Sequence, residues 1–399
     1  MTPRQRIEMT LQHRQPDRVA VDLGGTESSG IMAIAYNRLK NHLHLGGRTQ
    51  VYDLGQMIAK VEPEVLTAVG ADAMALLIEP RQWKPFTLQD GSGAEIPAGA
   101  DVQRLATGDW VLRDRAGTVV ARCPATGLYF DTVCHPLASA QTPQDIDAGA
   151  AHMQGFDWPD YMDEDFDDLA RKARLLYEQT DFALVANLWV HLFAAGQFLR
   201  GYEEFMMDLA GDKPMAHRFF ERQVEAYLPR VEQYLRAVGP YVQAIQVNDD
   251  LGGQQGPLLS PPLYREMIKP YHRQLWSAIK QASGKPLLLH SCGSIRALIP
   301  DLIELGVDAI NPVQVSAAGM DTAELKRQFG KDLTFWGGGC DTQSVLARGT
   351  PVQVRDEVRR RVDDLAPGGG FVFCQVHNIQ ADVPVENILA MYEELGTLA

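Results

Sequence analysis

The second half of the chain repeats one pattern: a short apolar run is followed by a longer stretch whose apolar residues have helical spacing. The runs are too short for helices, and most are apolar at consecutive rather than alternate positions. Strands of this kind are buried on both faces, which is typical of a parallel sheet covered by helices. The six runs lie at residues 183–187, 242–248, 286–290, 307–311, 333–336 and 371–374.

Segments with the spacing of amphipathic helices lie between or beside these runs, at residues 295–305, 322–329 and 352–365. The last one follows Thr350 and Pro351, a suitable N-cap residue and a proline at the first helical position. The sequence therefore predicts repeated strand–helix units.

A parallel sheet of this kind is either open or closed into a barrel. Gly24 and Gly25 follow the strand-like residues 19–23, but the G-x-G-x-x-G spacing of a dinucleotide-binding open sheet is absent. Polar side chains end most of the runs, and barrels assemble their chemistry from several strand ends. We therefore predict an α/β fold with a closed barrel. The polar strand ends are Asn187, Asn248, Asp249, Asp250, His290, Asn311 and Cys374.

The segment from about residue 79 to residue 137 breaks this pattern. It contains many glycine, proline and aspartate residues, with short strand-like pieces at 109–112 and 118–122. We predict a β-rich excursion from the barrel, inserted in the N-terminal half, that serves as a lid or an interface.

The chain is acidic, with 51 acidic and 37 basic residues and a formal net charge of -14. This balance argues against binding to nucleic acid or to an anionic membrane. No apolar run resembles a secretory signal or approaches the roughly 18 residues of a membrane span. We expect a cytoplasmic protein, whose five cysteines are buried residues, metal ligands or nucleophiles rather than disulfides.

His290 and Cys292 form the most informative pair, because they follow a strong strand and are separated by one residue. An imidazole and a thiolate suit Zn²⁺, and Gly293 lets the chain turn so that both can meet one ion. The alternative is a buried cysteine beside a hydrogen-bonded histidine. A catalytic zinc needs a third ligand, and both Cys374 at a strand end and Cys340 in a glycine-rich loop are candidates.

Two carboxylates, Asp249 and Asp250, follow another strand. Either could transfer a proton or hold a polar substrate group, and either could instead cap a helix or orient a metal-bound histidine. Further polar candidates for substrate contacts near strand ends are Asn248, Gln255, Tyr264, Gln314 and His377.

These residues resemble motifs of the uroporphyrinogen decarboxylase superfamily and, within it, of the corrinoid-dependent, zinc-containing methyltransferase branch. The resemblance covers nearly the whole chain, and its motifs are specific in combination rather than singly. The matching segments are residues 2–6 (TPRQR), 16–19 (PDRV), 248–252 (NDDLG), 259–261 (LSP), 290–295 (HSCGSI), 336–343 (WGGGCDTQ) and 376–380 (VHNIQ).

The resemblance implies a (β/α)8 TIM barrel that residues 1–399 form as a single domain. It also implies a zinc motif of His-x-Cys followed far downstream by Cys, which His290, Cys292 and Cys374 match, with Cys340 as the alternative third ligand. Some related enzymes add a glutamate where this chain has Gln314, whose neutral amide is a poorer ligand. Residues 22–27 (DLGGTE) lack the arginines with which the decarboxylases bind porphyrinogen, so we do not expect that substrate.

The function implied by the resemblance is a zinc-dependent transfer of a methyl group from a small methylated compound, with an O-methyl donor favoured, to a corrinoid. The chain has no Asp-x-His-x-x-Gly motif, so the corrinoid would arrive on a partner protein. Two alternatives stay open: a lyase that uses Asp249 or Asp250 on a non-porphyrin carboxylate, and a ligand-binding barrel without turnover. A thiol as methyl acceptor and a homodimer also stay open.

Overall fold

Short strands and helices alternate along the computed structural model, which describes residues 1–153 and 159–397. The strands in this part of the chain are β1 (Ala20–Val21), β2 (Val51–Asp53), β3 (Ile58–Ala59), β4 (Ala73–Leu76), β5 (Trp83–Thr87), β6 (Gly93–Pro97), β7 (Asp101–Arg104), β8 (Trp110–Arg113), β9 (Val119–Cys123), β10 (Asp131–Thr132), β11 (Ala183–Asn187), β12 (Ala244–Asn248), β13 (Leu287–His290), β14 (Ala309–Asn311), β15 (Thr334–Trp336) and β16 (Phe371–Phe373).

The α-helices of the described residues are α1 (Pro3–Leu11), α2 (Ala33–His42), α3 (Pro63–Ala68), α4 (Pro143–Ala148), α5 (Phe166–Gln179), α6 (Phe193–Arg200), α7 (Tyr202–Gly211), α8 (Lys213–Val238), α9 (Pro261–Met267), α10 (Lys269–Ser283), α11 (Ile299–Glu304), α12 (Thr322–Phe329), α13 (Val345–Arg348), α14 (Pro351–Leu365) and α15 (Val385–Glu394). Short 3-10 helices lie at Glu27–Ser29, Ala150–His152 and Gly239–Tyr241. None of the described helices is both long and apolar enough to cross a lipid bilayer.

Eight strands form one parallel sheet in the order β1-β16-β15-β14-β13-β12-β11-β4, which confirms the predicted (β/α)8 barrel. Strands β11 to β16 agree within two residues with the six apolar runs of the sequence. Thr350 caps α14 as predicted, since its side chain accepts a hydrogen bond from the backbone N–H of Gln353. The register places Asn248 beside His290, and His290 beside Asn311, so their side chains emerge at the same end of the barrel.

The barrel closes at a seam between β1 and β4, where Asp72 bridges the two strands. Its backbone N–H donates to the Val21 carbonyl at 2.7 Å, and its carboxylate accepts from the Val21 N–H at 2.8 Å. The Arg6 and Arg18 guanidinium groups pair with the same carboxylate, which is fully buried. A charged side chain therefore supplies the connection that a longer strand ladder would otherwise make.

The inside of the barrel is filled by a compact set of buried side chains, here called the inner cluster. Every barrel strand contributes to it, and Ile7 of α1 closes its lower end. Most members are small, and Trp336 is the largest side chain among them. The cluster consists of Ile7, Ala20, Ala73, Ala183, Val185, Ala244, Leu288, Ala309, Trp336, Val372 and Cys374.

The predicted excursion is a set of antiparallel strands between β4 and β11. Strands β7 to β10 form a four-stranded sheet in the order β10-β9-β8-β7, and β5 pairs with β6. Glu95 of β6 accepts hydrogen bonds from Arg48 and Gln50, beside the β2–β3 hairpin. The excursion therefore lies against the segment that follows α2, at the end of the barrel where the polar side chains emerge.

Candidate metal centre

His290 is held in one orientation by two side chains. Its Nδ1 atom lies 2.7 Å from the Ser28 hydroxyl oxygen and 2.8 Å from the Asn311 Oδ1 atom. The Asn311 amide is itself oriented, because its Nδ2 atom donates to the Trp336 carbonyl at 3.0 Å. Since Oδ1 can only accept, the proton sits on Nδ1 and leaves the Nε2 lone pair free. Nε2 faces the Cys292 Sγ atom at 3.5 Å.

The loop after β13 places Cys292 through contacts on both sides of it. The Cys292 N–H donates to Asp250 Oδ1 at 2.7 Å, and the Gly293 N–H donates to Gln314 Oε1 at 2.8 Å. Gly293 has a φ of +83°, and a Cβ atom there would lie 2.3 Å from the Gly252 backbone. A glycine is therefore required where the loops after β12 and β13 cross.

His377, in the loop after β16, completes a group of three possible metal ligands. Its ring centroid lies 5.6 Å from that of His290, at an interplanar angle of 69°. One ligand atom from each of His290, Cys292 and His377 lies within 4.8 Å of the other two. Among the described residues, no other group of three or more His, Cys, Asp or Glu side chains meets this criterion. His377, predicted as a substrate contact, thus stands where a third metal ligand was expected.

The two cysteines predicted as third ligands lie outside this group. Cys374 belongs to the inner cluster and is fully buried, with its Sγ atom 3.8 Å from Asn311 Nδ2. Cys340 is also buried, and the charges that act on it belong to Glu357, Asp341 and Arg361, on or near α14. Burial raises the pKa of both thiols well above its usual value, which keeps them protonated and unreactive at neutral pH.

The electrostatics of the three-residue group fit a soft divalent cation. Burial and the nearby His290 lower the pKa of His377 to about 4, so it is neutral at pH 7, as a ligand must be. Burial raises the pKa of the Cys292 thiol, and the adjacent Asp250 carboxylate raises it further. A bound cation would reverse that direction by favouring the thiolate. Nitrogen and sulfur donors in this arrangement suit Zn²⁺.

The two neighbouring aspartates have different positions. Asp250 is at the group: its side chain is 50% exposed and its Oδ1 atom lies 3.5 Å from His290 Nε2. Asp249 is buried and points away, accepting from the backbone N–H groups of Phe193 at 2.9 Å and Ala194 at 2.8 Å. It also contacts His272 Nε2 at 2.8 Å. Asp249 therefore occupies a helix-capping position at the start of α6.

The predicted substrate contacts are spread over several environments. Asn248 is buried beside His290 and accepts from Gln246 Nε2 at 2.6 Å. Gln255 is exposed in the loop after β12. Tyr264 is fully buried on α9, with its hydroxyl 3.1 Å from His272 Nδ1. Gln314 accepts a hydrogen bond from the Gly293 N–H through its Oε1 atom. Of these four residues, two lie next to the metal group. Asn248 pairs with His290 in the sheet, and Gln314 binds the loop that carries Cys292.

Sequence reasoning missed Ser28, because nothing in the local pattern shows that the loop after β1 crosses the barrel to reach β13. The Glu27 N–H donates to the Asn187 side chain at 3.0 Å, while Ser28 contacts His290. The glycines at 24, 25 and 30 around this loop were the available signal. A cavity of about 1400 Å³ lies beside the same loop, between the barrel and the excursion.

Known proteins resemble this chain both in sequence and in fold. Uroporphyrinogen decarboxylase from Xanthomonas campestris pv. campestris (strain B100) is 30% identical over 172 residues, or 41% of this chain and 45% of the relative. The enzyme of the same name from Neisseria meningitidis serogroup C (strain 053442) is 26% identical over 189 residues, or 46% and 49%. The chain therefore spans about half the length of the curated relatives that it matches.

A solved structure described as a methyltransferase from Methanosarcina mazei has the same fold. It superposes with a TM-score of 0.59 at 13% identity and covers 99% of this chain and 98% of its own. The model of the family described as uroporphyrinogen decarboxylase (URO-D) matches residues 187–397, the part that contains β12 to β16 and the three metal-ligating candidates. Because that match covers more than half of the chain, the protein belongs to the uroporphyrinogen decarboxylase (URO-D) family.

Proposed function

We propose that this protein is a zinc-dependent methyltransferase that moves a methyl group from a small O-methyl compound to a corrinoid carried by a partner protein. The observation that carries the proposal is the group of His290, Cys292 and His377, in which the His290 Nε2 lone pair is left free by the contacts at Nδ1. The shared fold with a methyltransferase structure is consistent with this function but does not specify it.

Three protein ligands are the number that catalytic zinc sites use, because a fourth position must stay open for substrate. His290 Nε2, Cys292 Sγ and the His377 ring would hold the ion. When bound, Zn²⁺ supplies Lewis acidity toward the oxygen atom that leaves from the methyl donor. Ser28 and Asn311 keep the His290 ring in place and so fix the direction of one ligand.

The transfer would break the bond between oxygen and methyl carbon and form a bond between that carbon and cobalt. Co(I) would supply the electron pair and become Co(III), and the oxygen that leaves would have to take a proton. Asp250 presents a half-exposed carboxylate beside His290 and Cys292 and can hold that proton. Asp249, with its oxygens occupied by backbone N–H groups and His272, acts instead by placing α6.

The experiment that tests this proposal compares three substitutions, each of which removes one candidate ligand. We expect about one zinc per chain in the wild type and in Cys374→Ala, and loss of zinc in His377→Ala and Cys292→Ala. Metal content is measured by elemental analysis after dialysis. Zinc kept by His377→Ala but lost by Cys374→Ala would restore the third ligand implied by the sequence resemblance.

The same proteins are then assayed for methylation of Co(I) cobalamin by methoxyarenes, followed by the visible spectrum of the corrinoid. Activity that depends on zinc supports the proposal. Turnover of a carboxylate substrate by metal-free protein would favour the lyase alternative, to which Asp250 and the family membership are suited. Zinc binding without any turnover would favour a ligand-binding barrel.

A further inference from the structure

Asp22, the residue that follows β1, places a fully buried carboxylate beside the inner cluster. It accepts a hydrogen bond on each of its two oxygen atoms: Oδ2 accepts from the Trp336 Nε1–H at 2.7 Å, and Oδ1 accepts from the Gly25 N–H at 2.6 Å. Burial raises the pKa of Asp22 to about 6, and the nearby Asp72 carboxylate acts in the same direction. The group is therefore charged at pH 8, with one donor aimed at each oxygen.

The contact with Gly25 holds the loop that carries Ser28. A Cβ atom at position 25 would lie 2.5 Å from Asp22 Oδ1, so a glycine is needed for the backbone to come this close. The Ser29 hydroxyl also stabilises the charged carboxylate. Ser28, whose hydroxyl lies 2.7 Å from His290 Nδ1, therefore stands between two residues that interact with Asp22.

The contact with Trp336 holds the residue to which Asn311 is bound. The Trp336 indole is buried in the inner cluster and donates to Asp22, while the Trp336 carbonyl accepts from Asn311 Nδ2 at 3.0 Å. Asn311 in turn presents its Oδ1 atom to His290 Nδ1 at 2.8 Å. The two groups that meet at His290 Nδ1, the Ser28 hydroxyl and the Asn311 amide, are thus both connected to the same carboxylate.

Three other side chains bind the loop after β1 through neutral amides. Asn187, Gln375 and Asn378 make hydrogen bonds to its backbone at 2.8 to 3.0 Å. Hydrogen bonds to an ionised group are roughly twice as strong as those between neutral groups. Asp22 also differs from these amides because it reaches the loop and Trp336 at the same time.

We propose that Asp22 is a positioning residue for His290: by holding Gly25 and Trp336, its carboxylate fixes both groups at Nδ1, and so keeps the ring proton on Nδ1 and the Nε2 lone pair available. An asparagine has the same shape, but it offers one acceptor oxygen to two donors, because its other terminal group is itself a donor. The use of that lone pair for zinc rests on the proposed function, whereas the control of the tautomer does not.

The first measurement is the tautomer of His290 in the zinc-free full chain, read at pH 8 from the ring nitrogen chemical shifts of isotope-labelled histidine, with His290→Gln to assign the signal. We expect the Nδ1–H tautomer in the wild type and a mixture of tautomers in Asp22→Asn. Asp72→Asn is the matched control, because Asp72 is equally buried but pairs with Arg6 and Arg18 at the seam, and it should keep the wild-type tautomer. An unchanged tautomer in Asp22→Asn, or an equal change in the control, would overturn the proposal.

The second measurement is zinc affinity at pH 8, by competition with a chelator. We expect Asp22→Asn to weaken zinc binding about tenfold. In a protein that already carries Ser28→Ala and Asn311→Ala, the same substitution should change the affinity less than about twofold, since the groups through which Asp22 acts are gone. A loss of equal size in both backgrounds would mean that Asp22 only supports the fold, and would overturn the proposal.

If Asp22→Asn does not fold, Trp336→Phe takes its place, because it removes one of the two donors and keeps the carboxylate. It should shift the tautomer in the same direction and weaken zinc binding about threefold, and an unchanged tautomer would again overturn the proposal. The two measurements also separate this proposal from the proposed function. A chain that binds no zinc would refute the function, while the His290 tautomer would still decide the role of Asp22. Zinc-dependent methyl transfer with a tautomer indifferent to Asp22 would do the reverse.

Discussion

At the scale of single residues, Asn311 determines which ring nitrogen of His290 has an available lone pair. Its amide is anchored to the Trp336 carbonyl and cannot rotate to offer a donor without losing that bond. A histidine that binds a metal ion through its Nε2 lone pair carries its proton on Nδ1. An acceptor oriented toward Nδ1 stabilises that tautomer.

We therefore expect Asn311→Ala to lower zinc affinity by about 10- to 100-fold, because the His290 ring loses the acceptor that fixes its orientation. The measurement is competition with a chromogenic chelator at pH 7. Ser316→Ala is the control, since Ser316 is exposed in the loop after β14 and its hydroxyl donates to Gln343 rather than to a residue of the metal group. An Asn311→Ala protein with wild-type affinity would show that Ser28 alone holds the ring.

The sequence predicted His290 and Cys292 correctly as neighbours in space because one residue separates them and the strand before them is strong. It could not choose between Cys374 and His377. Alternation along β16 turns Cys374, like Val372, toward the inner cluster, while His377 comes three residues later on the loop that leaves the barrel. Nothing in the local pattern shows where that alternation ends.

At the scale of elements, α6 depends on a side chain from a different strand end. Asp249 accepts from the first N–H groups of α6 and contacts His272, which stacks on Trp276 with ring centroids 4.0 Å apart. The loop after β12 is thereby tied to α6 and α10. Burial disfavours the charged form of the Asp249 carboxylate and raises its pKa. The contacts with His272 and the backbone N–H groups together have a larger effect in the opposite direction, so the pKa of Asp249 lies below its usual value.

A lowered pKa means that the folded protein binds fewer protons than the unfolded chain, so this contribution to stability is present above about pH 4 and is lost as the pH falls further. We expect Asp249→Asn to lower the free energy of unfolding by about 2 kcal/mol at pH 7. The difference from wild type should shrink below pH 4. Denaturant titration at several pH values measures both effects.

Asp165→Asn is the matched comparison, because Asp165 caps α5 at the surface. We expect it to cost less than about 1 kcal/mol, since water can replace the lost contact. Equal costs for the two substitutions, or a cost of Asp249→Asn that does not depend on pH, would contradict the capping interpretation.

Elements of the second half were predictable because each barrel strand there is an apolar run and most of these runs end in a polar residue. The strands β2 and β3 have only two or three residues each and so carry too little pattern to be recognised, whereas β1 lies within the strand-like residues 19–23. The excursion was located by its composition, but the pairing of β5 with β6 and the order of β7 to β10 depend on contacts that no local signal specifies.

At the scale of the whole molecule, closure of the barrel depends on the charges at the seam. Asp72 is fully buried and pairs with Arg6, whose side chain is 7% exposed, and with Arg18. Removing the carboxylate would leave the Val21 N–H without its partner, and the largely buried Arg6 guanidinium group would keep only the more exposed Asp17 as a carboxylate partner among the described residues.

We expect Asp72→Ala to destabilise the protein by about 3–5 kcal/mol, the range for removing one partner of a buried ion pair. Asp17→Ala is the control, since Asp17 also pairs with Arg6 but is 43% exposed, and should cost less than about 1 kcal/mol. Chemical denaturation followed by tryptophan fluorescence measures both. Similar costs would show that the seam is held by its backbone contacts alone.

The pairing of β1 with β16 has a consequence for how the protein is made. Ala20 leaves the ribosome long before Val372, the residue with which it pairs in the barrel. Until then, α1 and β1 have no barrel to close, and Ile7 has no inner cluster to cover. During synthesis, the nascent chain must therefore carry an open arc of strands, whose exposed edges invite chaperone binding.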